Sequence, residues 1–403
     1  MTNFRILFRY EMKKILKRKM IWIAGFIVLA ASIMIISSDA MGKYYVDGKV
    51  YDTHYHMMII DRAYARALSG RLIDDNLLLE MQDAYRQVPT DALRYSLTEE
   101  YQTYARPYSE IFVLASSIMG KNSLEEMLAW EIDKDDLYEK YVEALETELA
   151  EASLTEGEKN FWRTKEEQLK TPFVFYYKDA YRELAVSAYI LCFMMLFFAA
   201  VCLSGIFTKE HTYRTDQLLL SSRLGKKELY FAKAAAGMCF ISVAAFVQIL
   251  AVVILSLIIY GADGYTAALQ LLIPRYPYPM QVGEGVIIMY MLLFLAVLVT
   301  GVFAMMLSEL LKSENAALAL ISGILFASVF INIPARYRLL SQLWTYLPSN
   351  ILNADRVFSL WLVPFFGHFL TAWQVVPVLY LLTGGMFMII GMRQYLKYQV
   401  SGR

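Results

Sequence analysis

Six stretches of this chain are too long and too apolar to be buried together inside a water-soluble domain. They are Met20–Ser37, Leu184–Phe207, Ala232–Tyr260, Gly285–Ser308, Ala316–Ile333 and Ala372–Met392. A helix needs roughly 20 apolar residues to cross the hydrocarbon of a bilayer. In lipid the backbone must satisfy its own hydrogen bonds, which runs of this length do as helices. The expectation is a polytopic α-helical membrane protein with six transmembrane helices, and the 58% hydrophobic share agrees. The first and fifth runs are short, and the third is long enough to tilt.

Charge gives the orientation. Residues 1–20 carry Arg5, Arg9, Lys13, Lys14, Lys17, Arg18 and Lys19 against Glu11 alone. The loop 208–231, the link at Lys312 and the tail with Arg393, Lys397 and Arg403 are also basic. Residues 39–183 hold 17 Lys/Arg against 29 Asp/Glu, so the acid lies on the other side. Short basic loops stay in the cytoplasm. Both termini and 208–231 are therefore expected there, in a multi-pass protein of the plasma membrane. Cys192, Cys202 and Cys239 all fall in apolar runs, so no disulfide framework holds the long segment 39–183.

In chain order, residues 1–19 read as an amphipathic interfacial helix. Phe4, Leu7, Phe8, Met12, Ile15 and Leu16 recur at helical spacing, with Arg9, Lys13 and Lys17 positioned for the inner headgroups. A cleavable signal peptide is the rival reading, but Ser37-Ser38-Asp39-Ala40 is a poor cleavage site. Residues 20–38 are the first span, and 39–183 an external, mostly helical domain. It opens on a hairpin with Asp47-Gly48 at the turn. Leu77, Met81, Tyr85 and Val88 share a helical face, as do Leu124, Leu128 and Ile132, and Tyr138, Tyr141 or Val142, Leu145 and Leu149. Ser123 with Glu126, and Thr155 with Glu158, read as capping boxes. The Tyr-rich faces fill a core or receive a ligand. His54 and His56 near Asp52 and Asp61 make a weak metal candidate, and the acidic run Glu143–Glu158 reads as a solvated face.

Residues 184–403 hold the remaining spans, with the external segment 334–371 broken by Pro348, Pro364 and Gly367 into re-entrant pieces. No Asp, Glu, Lys or Arg sits mid-span, where an ion-coupled carrier keeps its ionisable groups. Small residues cluster instead, at Ala234-Ala235-Ala236-Gly237, Gly384-Gly385 and Gly391. There is no phosphate loop, His-Glu-x-x-His or Gly-x-Ser-x-Gly, so no catalytic site, cofactor or metal is expected in this chain.

The loop 208–231 is the most specific stretch. Phe207-x-x-Glu210, Arg214-Thr215, Leu218-Leu219-Leu220, Ser221-Ser222-Arg223 and Lys233 follow in order. This pattern resembles the cytosolic stretch of the ABC-2 permeases, membrane subunits of ATP-binding-cassette exporters. The basic first helix, the large domain between spans one and two, and the broken segment before the last span extend the resemblance over nearly the whole chain. Arg214 stands where that family often has Gly, and Arg223 where Pro is common.

The resemblance implies a second permease chain and a cytosolic ATPase carrying the ATP and magnesium. It also implies ATPase coupling through Phe207, Glu210, Arg214, Thr215, Leu218, Leu219 and Leu220. Glu210 and Arg214 would offer charged contacts and the leucines an apolar one, while Lys233 would snorkel at the inner membrane interface. The cargo would be lipophilic or amphipathic, with lipid the surrounding partner and no nucleic acid involved. The alternative is a receptor or scaffold that senses an external ligand through residues 39–183.

Overall fold

The computed structural model describes residues 2–90, 94–121, 123–133, 136–212 and 226–397. Helix α1 (Thr2–Leu16) turns Phe8, Met12 and Ile15 to the helical bundle and leaves Arg9, Lys13 and Lys17 exposed. Helix α2 (Lys19–Ile36) is the first of five helices, among the described residues, long and apolar enough to cross a membrane.

Residues 43–178 form a head domain. Strands β1 (Lys43–Val46) and β2 (Lys49–Thr53) pair antiparallel around Asp47 and Gly48, both at positive φ, 48° and 76°. Two successive left-handed residues make the tight turn whose twist matches a hairpin. Helices α3 (His54–Leu68), α4 (Asp75–Tyr85), α5 (Ser109–Met119), α6 (Leu124–Leu128), α7 (Asp136–Glu151) and α8 (Glu156–Glu166) follow. Leu77, Met81, Tyr85 and Val88 are buried together, and Tyr85 stacks on Phe112 with ring centroids 4.2 Å apart. Tyr141 faces inward and Val142 outward. The tyrosines thus fill a core. Thr155 and Glu158 form a reciprocal capping box, and the Ser123 hydroxyl accepts from the Glu126 N–H at 3.1 Å.

The bundle comprises α9 (Asp179–Leu203), α10 (Thr208–Thr212), α11 (Lys227–Tyr260), α12 (Val282–Leu311), α13 (Glu314–Phe330) and α16 (Ala372–Lys397). Between the last two lie α14 (Arg338–Thr345), α15 (Ala354–Val357) and the hairpin β3 (Val363–Phe365) and β4 (His368–Leu370). Helix α12 is the hub, packing against α9, α11, α13 and α16. Gln248 on α11 donates to the Ser32 hydroxyl on α2, so a polar side chain in lipid finds a partner helix.

The fifth apolar run departs from its expected bounds. Helix α13 stops at Phe330, and its 17 residues rise only about 26 Å, short of the roughly 30 Å hydrocarbon core. Pro334 disfavours helix in the residue before it, and Ile331 to Ile333 leave the helical path. Helices α11, α12 and α16 instead overrun their apolar runs, as α11 does by starting at Lys227, because polar turns can continue a helix beyond lipid, whereas α9 stops at Leu203, inside its run.

Small residues set the helix spacing. A Cβ on Gly237 would lie 2.8 Å from both Ile206 Cδ1 and Met305 Sδ, whereas one on Gly385 meets nothing within 4 Å. Gly237→Leu is expected to cost about 1–3 kcal/mol by overpacking. Gly385→Leu should be near neutral. Thermal unfolding of the two purified variants checks the contrast, and equal melting temperatures would contradict it.

Candidate functional site

At one end of the bundle α1 lies across α11, and four charged side chains link the two helices through α10. Lys233 Nζ sits 2.6 Å from Glu210 Oε2, Glu210 Oε1 is 3.2 Å from Lys14 Nζ, and Lys14 Nζ is 2.6 Å from Glu11 Oε1. Lys233 is 1% exposed and also donates to the Ile206 carbonyl at 3.4 Å. Its ammonium lies 5.3 Å from the Phe207 ring centroid, a cation–π distance. Burying unpaired charge costs several kcal/mol, so alternation of sign makes this chain tolerable. Burial disfavours the Lys14 ammonium, but Glu11 and Glu210 outweigh it and raise the pKa. That contribution to stability is therefore present below the unfolded pKa and lost as pH rises through the folded one.

Around this chain the other helices converge. Phe207 is buried, stacks on Tyr230 at 5.2 Å, meets Tyr395 at 5.8 Å, and donates its N–H to Ser308 Oγ at 3.2 Å. Tyr230 Oη donates to the Met388 carbonyl at 2.8 Å, in space kept open by Gly391. Arg18 pairs with Glu314 at the start of α13 and donates to the Cys202 carbonyl at 2.9 Å. Gly205 lets the Glu314 carboxylate approach, since a Cβ there would meet it at 2.6 Å. One rigid joint thus ties α1, the α9–α10 turn, α11, α12, α13 and α16.

Two residues sit differently from their expected places. Lys233 does not snorkel to an interface: its ammonium turns inward because Glu210 is there to meet it. Glu210 does not offer a free carboxylate, since both oxygens face lysines. Phe207 is a buried anchor in an aromatic stack. Arg214, Thr215, Leu218, Leu219 and Leu220 lie outside the described residues. Glu11, Lys14, Arg18, Glu314, Tyr230 and Tyr395 had not been singled out for this joint. Glu11 carried a signal, as the one acid among the early basic residues and three positions after Phe8 on the apolar stripe.

The acidic run in the head is not wholly solvated either. Glu158 is 1% exposed and pairs with Arg338, whose Nη1 reaches Oε2 at 2.9 Å, while Oε1 accepts from the Leu362 N–H at 3.2 Å. Trp162 Nε1 donates to the Leu360 carbonyl at 2.8 Å. Helix α8 is thereby docked on the segment before α16. Burial opposes ionisation of Glu158, but Arg338 and Thr155 prevail and hold its carboxyl below the usual range. His56 Nδ1 lies 2.7 Å from Asp52 Oδ1 and His54 packs edge-on against Tyr44. Among the described residues no group of three or more metal-binding side chains converges.

Fold and joint together define a multi-pass α-helical membrane protein whose ionic joint lies next to the 213–225 stretch. Residues 73–349 match the family described as ABC-2 family transporter protein, and the chain belongs to that family. No curated protein matches it.

Proposed function

We propose that the chain is the permease subunit of an ATP-driven exporter at the plasma membrane, with α1, α10, the 213–225 stretch and the start of α11 cytosolic and the head external. Helix α13 with Ile331–Ile333 makes the sixth crossing, and residues 334–371 are re-entrant. Two permease chains, identical or sister, sit on two ATPase subunits that hold ATP and magnesium. The cargo is lipophilic or amphipathic.

The observation that carries this reading is the chain of charges Lys233–Glu210–Lys14–Glu11. A partner pressing on the 213–225 stretch pushes directly on α10 and α11, and through Lys14 on α1. Glu210 then acts inside the joint, and Arg214 with Leu218–Leu220 supplies the contact with the ATPase. The affinity-tagged chain is expected to co-purify from its native membrane with an ATPase whose turnover falls when Arg214 is reversed to Glu. Purification without any nucleotide-hydrolysing companion would sink the reading. One feature favours the receptor alternative: a cavity of about 340 Å³ at the base of the head, walled by charged Asp61, Arg106, Glu110 and Arg182. Ligand capture there with no ATPase bound would support it instead.

A further inference from the structure

Between α12, α13 and α16, roofed by the residues that follow α14, lies a cavity of about 370 Å³. Its floor is Val299, Thr300, Ile321 and Tyr380, all buried. Its mouth is Ile324 and Leu343, both substantially exposed. Thr300 lies near the middle of α12, as Tyr380 and Thr383 do in α16, so the cavity sits at hydrocarbon depth.

The polar side-chain atoms of Tyr380, Tyr346, Ser349 and Thr383 in its wall are already committed, which leaves the Thr300 hydroxyl on the floor. Tyr380 Oη donates to the Tyr346 carbonyl at 2.9 Å, and Tyr346 Oη accepts from Gln342 at 2.8 Å. Ser349 and Ser328 hydroxyls share a hydrogen bond of 2.6 Å, and Thr383 Oγ1 donates to the Leu379 carbonyl at 2.8 Å. A polar guest would lose its hydration there with little in return. An apolar void of this kind holds apolar matter rather than water.

The helix at the mouth agrees. On α14, Ser341 and Gln342 are buried while Leu339, Leu340 and Leu343 point outward, the inverse of a helix that meets water. Leu339 is 73% exposed, a surface that suits hydrocarbon better than water. Lipid chains are the apolar matter at highest concentration in a bilayer.

We propose that this cavity binds one acyl chain of a bilayer phospholipid, which enters sideways past Ile324 and Leu343 and lies against Thr300 and Tyr380. The site needs α12 and α16 to be membrane spans. It does not need the exporter reading, so the two can fail separately.

The test uses the full chain reconstituted in phosphatidylcholine vesicles doped with phosphatidylcholine bearing a diazirine on one acyl chain. After irradiation, adducts are expected on Ile321, Tyr380 and Thr383 as well as on outward-facing Leu382, which is 68% exposed. Filling the cavity with Ile321→Trp should cut the inner adducts about fivefold or more and leave those on Leu382 unchanged. Thr300→Leu serves the same purpose should the larger side chain prevent folding. Adducts confined to outward residues, or inner adducts insensitive to both fillings, would overturn the site. Chain-to-chain cross-links through Leu343 in place of lipid adducts would assign the mouth to a second copy and overturn it equally.

Discussion

Lys233→Met is expected to lower the stability of the purified protein by about 3 kcal/mol and to cut ATP-dependent transport at least tenfold. The substitution keeps most of the stem's volume and removes only the ammonium. Glu210, whose side chain is 13% exposed, then keeps, among the described residues, a single cation, Lys14, which is 55% exposed and so partly screened by water. A buried carboxylate with one weak partner is the costly half of a broken ion pair. The double variant Lys233→Met/Glu210→Gln removes both charges and should regain most of the stability. It should not regain transport, because the link between α10 and α11 is gone. Thermal unfolding of the two single variants and the double variant isolates the pair, since neighbouring residues couple by 0.5–3 kcal/mol. A single Lys233→Met variant as stable as the parent would show that Glu210 finds its support elsewhere.

The second large effect belongs to the docking of the head. Glu158→Ala leaves the Arg338 guanidinium, the Leu362 N–H and the Thr155 cap without their shared acceptor. The expected cost is about 3 kcal/mol, because removing one partner strands the other. The head and α14 should part first, since Trp162 is the neighbouring anchor on the same helix. Acid should mimic the variant. The folded pKa of Glu158 is lowered, so its contribution is complete above the unfolded pKa and is lost as pH falls through the folded one. In the parent, protease cleavage near the Glu151–Glu156 turn should therefore rise as pH falls below the ordinary carboxyl range. In Glu158→Ala it should be high already at neutral pH. Cleavage independent of both would contradict the docking role.

These two sites also mark how far the residues alone could carry the reading. Hydrophobic runs found the membrane helices because lipid leaves the backbone few other choices. Asp47-Gly48 found the hairpin because only certain residues accept two left-handed conformations in succession. The faces of α4 and α7 followed from helical spacing. Contacts distant in sequence were hidden. Nothing near Glu158 announces Arg338, 180 residues on. Nothing near Lys233 says that its stem turns inward to Glu210. Helix α13 stops at Phe330 although the apolar run continues through Ile333, because Pro334 disfavours helix in the residue before it. Glu210 was read as a contact outside the chain, because its two lysine partners lie on other helices.

The most direct test of the central claim is a photocrosslinker placed at Leu218 in the full chain, in intact cells of its native host. The account predicts an adduct with a nucleotide-hydrolysing protein, formed behind a membrane that a non-permeating thiol reagent cannot cross to reach Cys at position 218. Labelling of that cysteine from outside the cell, or adducts that never include such a protein, would contradict it.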